Sequence, residues 1–398
     1  MAEAMTVRQP GAGLIRWITL VGAMLLGACS TIVPRGPISA PERPVAAPTP
    51  APRDTYTGGI PRDTQRNRVA LLVPLSGSNG GIGRAIANAT MLAVLDTRTE
   101  QVRITNYDTA AGAGAAARRA IAEGAQLILG PLLSDDVRVV APIAKAAGVP
   151  VISFSNDVGV AGNGVYLLGY APTQSIERVV DYAQSRGITT FAGLVPNGLY
   201  GQRSSTAFLR AVEDAGGSVV SLQTYPRGAG AIATAVARLN DKAPYGAVLI
   251  ADGAASAATA APLVKRASPG VHLLGTELWN SETGIGARTT LDGAWFASVP
   301  DTLYRQFAGK YRARFGADPY RLASLGYDAV LLTVRISRDW AVGRAFPEQR
   351  LNDKDGFSGI DGAFRFGDDG IAERALEVRE IRGGSTALVS PAPSNFKR

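Results

Sequence analysis

The strongest constraint on the fold lies in residues 68–156. Here short, wholly apolar runs end in small polar residues and give way to helices. The first run is VALLVPLSG over residues 69–77, which passes into the glycine-rich loop SGSNGGIG at 76–83. The second is LILGPLLSD at 127–135, and VPVISFS follows at 149–155. An apolar run this short, without polar alternation, fits a strand buried on both faces, as in a parallel sheet covered by helices. Between the runs the sequence predicts a helix at 84–95, a strand at 102–107, an alanine-rich helix at 112–123 and a helix at 135–147 with Ser134 as its N-cap. Strict alternation of strand and helix predicts a doubly wound parallel sheet. The polar residues at its strand ends then line the crevice where ligands bind in open α/β sheets.

The same alternation recurs downstream. Strands are expected at 191–195, 217–225, 247–251 and 271–274, with helices between them. Two more helices follow at 302–315 and 320–340, and the region 359–381 has hairpin character around GDDG at 367–370. The expected architecture is α/β, with two doubly wound parallel-sheet lobes enclosing a cleft. Residues 68–170 and 300–350 are assigned to lobe 1, 171–299 and 351–383 to lobe 2, and 384–398 to a loose tail.

The N-terminal region reads differently. Arg8 and Arg16 precede a short apolar stretch, and Leu26-Gly27-Ala28-Cys29 follows. A basic segment, a short apolar segment and small residues at a cut describe a secretory signal peptide, here residues 1–28. The apolar stretch falls short of the ~20 residues a transmembrane helix needs. The Leu-Gly-Ala-Cys order resembles the bacterial lipobox. That resemblance implies lipidation of Cys29, the chain's one cysteine, and Ser30 after it implies sorting to the outer membrane. Residues 29–67 are proline-rich, without a periodic apolar face, and are expected to form an extended tether.

The formal charge of +8 does not point to nucleic acid, because Lys and Arg are scattered and aromatic residues do not interleave with them. A dinucleotide site at Gly81-x-Gly83, with Asp108 ending the next strand, is also disfavoured. Several residues separate the loop from the strand end at Pro74, and Ile86 stands where a third glycine belongs. His272 is the one histidine and lies in a short apolar strand. With His272 read as a packed or surface residue, no second histidine and Cys29 expected to be acylated, zinc sites and Ser-His-Asp catalysis have no support. No cofactor, no metal and no enzymatic activity are expected. The candidate ligand-binding residues are strand-end groups. Ser134, Ser153 and Ser155 offer hydroxyls to a small carboxylate on one lobe, and Tyr200, Asp252 and Glu277 follow strands of the other, where an acidic residue suits an ammonium group.

These segments, with LGPLLS at 129–134, Gly148-Val-Pro-Val-Ile-Ser153, Tyr200-Gly201 and LGYDA at 325–329, resemble the type I periplasmic binding fold of the leucine/isoleucine/valine-binding type. The resemblance covers about residues 68–383. It implies two lobes joined by three crossovers. By match to motif, Ser134, Ser153 and Ser155 would contact a ligand carboxylate, with Tyr200 and Asp252 facing them. LDGAWF at 291–296, Pro300-Asp301 and ASLGYDA at 323–329 are similar to the C-terminal domain of penicillin-binding protein activators. This implies a lipid-anchored periplasmic regulator of peptidoglycan synthesis whose partner is a penicillin-binding protein. The alternative is an ABC-transporter receptor for an amino acid or similar small carboxylate, partnered by a permease. The helical-repeat domain of the best-known activators is replaced here by the tether.

Overall fold

The computed structural model describes residues 63–228, 230–281, 284–393 and 396, all within one compact unit. The expected signal peptide, Cys29 and most of the expected tether lie outside the described residues. In chain order the first lobe begins with β1 (Asn67–Val73), α1 (Gly80–Thr97), β2 (Val102–Asp108), α2 (Ala113–Ala122), β3 (Leu127–Leu129), α3 (Ser134–Ala146), β4 (Val151–Ser153) and β5 (Val165–Leu167). The second lobe contains α4 (Pro172–Ser185), β6 (Thr190–Pro196), α5 (Leu199–Asp214), β7 (Ser218–Tyr225), α6 (Ala231–Asn240), β8 (Ala247–Ile250), α7 (Ala254–Ala267), β9 (His272–Gly275) and β10 (Trp295–Ser298). The chain then returns to lobe 1 with α8 (Thr302–Phe315), α9 (Ala323–Ser337) and the short strands β11 (Phe357–Gly359), β12 (Gly362–Phe366) and β13 (Ala372–Arg374). It ends in lobe 2 with β14 (Glu377–Arg382) and β15 (Ser385–Ser390).

Lobe 1 carries a parallel sheet in the order β2-β1-β3-β4-β5, and lobe 2 a sheet in the order β15-β14-β10-β9-β8-β6-β7. In the second sheet β14 and β15 run antiparallel to their neighbours, and the rest is parallel. The unbroken apolar runs are explained by side chains that alternate between two cores. Along β1, Val69, Leu71 and Val73 join α9 and Phe364 on one face, whereas Ala70 and Leu72 pack with residues of α2 and α3 on the other. In β8, Val248 and Ile250 likewise separate from Ala247 and Leu249.

Both lobes use the same device where the first strand turns into its helix. A Cβ added to Gly83 would lie 1.8 Å from the carbonyl oxygen of Pro74, and one added to Gly201 would lie 1.7 Å from that of Pro196. The first turn of each helix therefore packs against the strand-end carbonyl, an approach only glycine permits. Asp108 secures the intervening loop of lobe 1. Its carboxylate accepts hydrogen bonds from Leu75 N (2.8 Å), Ser76 Oγ (2.7 Å) and Ala110 N (2.9 Å).

Two parts of the expected architecture differ. Residues 357–374, grouped with lobe 2 by the sequence, form an antiparallel sheet whose Phe357, Phe364 and Phe366 enter the lobe 1 core. The segment expected as a loose tail contains β15, which pairs with β14 and completes the edge of the lobe 2 sheet. Short strands of mixed composition carry little periodicity, and tertiary contact decides where they go.

Candidate functional site in the interlobe cleft

Three crossovers link the lobes, at residues 168–171, 299–301 and 375–376, between β5 and α4, β10 and α8, and β13 and β14. Against them lies a cavity of about 280 Å³. Lobe 1 contributes Ile82, Leu132, Phe154 and Leu322 to its walls, and lobe 2 contributes Ser175, Glu277, Asn280 and Leu376. Tyr170, Val299, Arg321 and Arg374 line it where the crossovers converge.

Of the six candidate ligand residues, only Glu277 lines this cavity. Tyr200 supports it: the Tyr200 hydroxyl lies 3.0 Å from both Glu277 Oε1 and Thr276 Oγ1, and Ser175 Oγ donates to Glu277 Oε2 at 2.5 Å. Burial raises the Glu277 pKa, and these hydroxyl bonds oppose the rise. Burial and the adjacent Glu277 charge push the Tyr200 phenol well above its ordinary value. The pair thus presents a hydrogen-bonding carboxyl, fixed by three neighbours, to whatever enters the cleft.

Of the other four candidates, Ser153, Ser155 and Asp252 are engaged within the protein, and Ser134 lies outside the cavity. Ser153 Oγ donates to the Pro131 carbonyl at 3.0 Å and accepts from Ser155 N at 3.0 Å. Ser155 Oγ accepts from Asp157 N at 3.1 Å. Both serines are fully buried and shape the turn after β4. Ser134 is the first residue of α3 and caps nothing with its side chain; the N-cap position belongs to Leu133. Asp252 accepts from Tyr225 Oη at 2.8 Å and from Gly253 N at 2.8 Å, while its carbonyl accepts from Trp279 Nε1 at 3.0 Å. Removing the Ser153 hydroxyl leaves the Ser155 N–H buried without a partner, while the Pro131 carbonyl keeps its bond from Phe154 N. Ser153→Ala is therefore expected to destabilise the fold by about 1–3 kcal/mol, read as a lower urea midpoint at constant m-value. An unchanged midpoint would show that the hydroxyl is free.

The sequence did not disclose the polar cluster behind the cavity. Arg321 is 7% exposed and stacks on Tyr304, its guanidinium carbon 3.7 Å from the ring centroid. Its Nη2 lies 2.9 Å from Asp361 Oδ1 and 3.6 Å from Asp301 Oδ1. Tyr170 donates to Asp361 Oδ2 at 2.5 Å. Arg374, 8% exposed, donates to the Leu168 carbonyl at 2.6 Å and lies over the Tyr170 and Phe364 rings. Burial would lower the Arg321 pKa, but the charges on Asp361, Tyr170 and Asp301 outweigh it and the net shift is upward. One signal was available: Asp328 is the one carboxylate in helix α9, ASLGYDAVLLTVRIS.

Asp328 is fully buried and accepts from Ile360 N at 2.6 Å and Asp361 N at 3.3 Å. Gly359 makes room for it, since an added Cβ would lie 2.4 Å from the carboxyl. Burial, with the Asp361 charge beside it, raises the Asp328 pKa to about 7. Asp328 therefore binds its proton more tightly in the folded chain than in the unfolded one. Its contribution to stability is complete below about pH 4 and is lost as pH rises through about 7. Asp328→Asn, which cannot titrate, should remove that slope. The wild-type midpoint should fall relative to the variant between about pH 4 and pH 8; parallel profiles would exclude this role.

His272 stacks on Trp295 with ring centroids 4.2 Å apart, and burial lowers its pKa. Among the described residues no cluster of three or more His, Cys, Asp or Glu could hold a metal, and no helix is long and apolar enough to cross a membrane.

Comparison with known proteins agrees with this geometry. Over 148 residues the chain is 30% identical to the penicillin-binding protein activator LpoA of Glaesserella parasuis serovar 5, a match covering 37% of this chain and 25% of that protein. Over 184 residues it is 24% identical to the uncharacterized protein RP748 of Rickettsia prowazekii, covering 46% of this chain and 49% of that one. The matches thus span half or less of these relatives. Among solved structures, a putative branched-chain amino acid ABC transporter protein from Rhodospirillum rubrum superposes with a TM-score of 0.72 at 21% identity, over 81% of this chain and 100% of that one. The family model for periplasmic binding proteins matches residues 67–385, and the chain belongs to that family.

Proposed function

We propose that this protein is a non-catalytic periplasmic regulator of peptidoglycan synthesis that acts by binding a penicillin-binding protein. The observation that carries this reading is the state of the expected carboxylate clamp. Ser153 bonds the Pro131 carbonyl after β3 and the Ser155 N–H, Ser155 bonds the Asp157 N–H, and Ser134 stands outside the cavity. The binding-protein fold is retained while that clamp is turned to structural use. The similarity to LpoA supports the same reading. Family membership supports a periplasmic location. Lipidation at Cys29 and residence at the outer membrane belong to the proposal, and the mass of the mature N-terminal peptide from a membrane fraction tests the first of them.

A second reading, a solute receptor working with an ABC permease, is favoured by the cavity itself and by Glu277 on its wall. The deciding experiment uses the purified full chain and a purified penicillin-binding protein from the same cell. Direct association together with faster glycan polymerisation or cross-linking supports the regulator. A lack of both, with an amino acid raising the thermal midpoint in a concentration-dependent way, overturns it in favour of the receptor.

A further inference from the structure

The turn after β4 and the start of α5 belong to opposite lobes, and one side chain crosses between them. Arg203 of α5 places Nε 3.5 Å from Asp157 Oδ1. Asp157 follows β4 in lobe 1, and neither residue belongs to a crossover. The Asp157 carboxylate is set for this contact by its own lobe. Arg138 of α3 pairs with Oδ2, Gly159 N donates to Oδ1 at 3.0 Å, and Asp157 N donates to Ser155 Oγ at 3.1 Å. Arg138 also pairs with Asp135 at 2.9 Å. Within lobe 1 this cluster therefore joins two carboxylates to one guanidinium, and Arg203 from lobe 2 supplies the balancing charge.

Residue 159 makes the space for that arginine. A Cβ there would lie 2.4 Å from Arg203 Nη2 and 3.4 Å from the guanidinium carbon. Gly159 is not in the left-handed region, so its backbone does not itself call for glycine. The missing side chain leaves room for a group from the other lobe. We propose that Arg203 and Asp157 form a latch that holds the two lobes closed on each other before any ligand arrives. Other polar contacts join the lobes, but they end on or beside crossover residues: Gln174 with Ala372 and Arg374, and Asn280 with Asp301. Such contacts can persist through a small hinge rotation. A pair away from the crossovers must part when the lobes rotate, so it opposes opening most directly.

The two halves of the latch are unequal. The Asp157 side chain is 4% exposed and that of Arg203 is 43% exposed. The carboxylate is already fixed by lobe 1, so the ordering cost of closure falls on Arg203 alone. A pair with one partner this open biases the lobes and does not lock them. Phe154 and Asn156, on the same turn as Asp157, line the cavity, and Tyr200, one helical turn before Arg203, braces Glu277 on its wall. The latch thus draws together the two segments that shape the cavity. Closure becomes a property of the chain itself, and a protein partner meets one outline of both lobes with the cavity empty or filled. The inference goes beyond the regulator reading and does not depend on it.

The test is double electron–electron resonance on the full chain, with neither ligand nor partner added, so its result is separate from that of the penicillin-binding protein reading. Cys29→Ser removes the chain's one cysteine, and spin labels go on Ala146→Cys in α3 and Ala237→Cys in α6, exposed positions in different lobes. The expected result for this parent is a main population at the interlobe separation of the present structure. Arg203→Gln removes the lobe 2 charge, and Gly159→Ala displaces the guanidinium with both charges kept. Each should lower the closed-to-open ratio about two- to fivefold, as for the loss of a partly exposed ion pair. Salt at about 1 M should do the same to the parent and little to Arg203→Gln. Asp157 is left unchanged, because its bonds to Arg138 and Gly159 N support the turn. Arg266→Gln, at an exposed arginine of α7, should keep the parent distribution. The proposal is overturned if the parent is open, if both latch variants keep the parent distribution, or if closure is independent of salt.

Discussion

Asp361→Ala is expected to destabilise the folded chain by about 3–5 kcal/mol, the cost of leaving a buried charge without its partner. Asp361 is fully buried and answers two groups at once, Arg321 Nη2 at 2.9 Å and the Tyr170 hydroxyl at 2.5 Å. Its removal leaves Arg321 with Asp301 at 3.6 Å as its remaining carboxylate. Equilibrium unfolding in urea reads the loss as a lower midpoint. A double variant, Asp361→Leu with Arg321→Met, removes both charges and should recover much of the stability, since a buried pair contributes little beyond an apolar one of similar volume. A double variant no more stable than the single would mean that the loss comes from packing and not from the orphaned guanidinium.

Trp279→Ala should cost a similar amount, about 3–5 kcal/mol, for a different reason. Trp279 is fully buried, and a Cβ added to Gly275 would fall 2.2 Å from its ring. Its ring centroid lies 6.1 Å from that of Phe296, and its indole N–H holds the Asp252 carbonyl. Alanine opens a large cavity and strands that carbonyl. Trp279→Phe fills most of the space and loses chiefly the hydrogen bond, so its cost should be clearly smaller, about 1–3 kcal/mol. Equal losses for the two variants would show that ring volume is unimportant here. The comparison also bears on Asp252: its neighbours make it a structural anchor between β8 and the segment after β9.

The layered architecture was legible because burial on two sides leaves a plain mark. Every residue of β1 is buried, so the apolar run needed no alternation to identify it. Glu277 and Tyr200 were legible as strand-end groups, and the parallel sheet brought them together. The role of the serines was not. Whether Ser153 Oγ turns toward a ligand or toward the Pro131 carbonyl depends on the neighbouring strand and its turn, which a local sequence does not specify. Arg321, Asp361 and Arg374 lie in separate segments with no common motif, and only folding joins them. The same limit applied to β11–β13, whose place was decided by Phe364 entering the lobe 1 core.

Neither lobe is one continuous piece of chain, and this governs the order in which the protein can be completed. One face of β1 rests on Leu325, Leu332 and Ile336 of α9, and the lobe 2 sheet receives β14 only near the end. A chain delivered as far as the second crossover holds one apolar sheet face bare, with Val69, Leu71 and Val73 lacking their cover. Contacts between distant segments slow folding, and the uncovered surface favours aggregation meanwhile. A chain delivered amino end first must therefore be kept from self-association until its last quarter has arrived. Any truncation placed inside 67–390 would divide a core and not separate a domain.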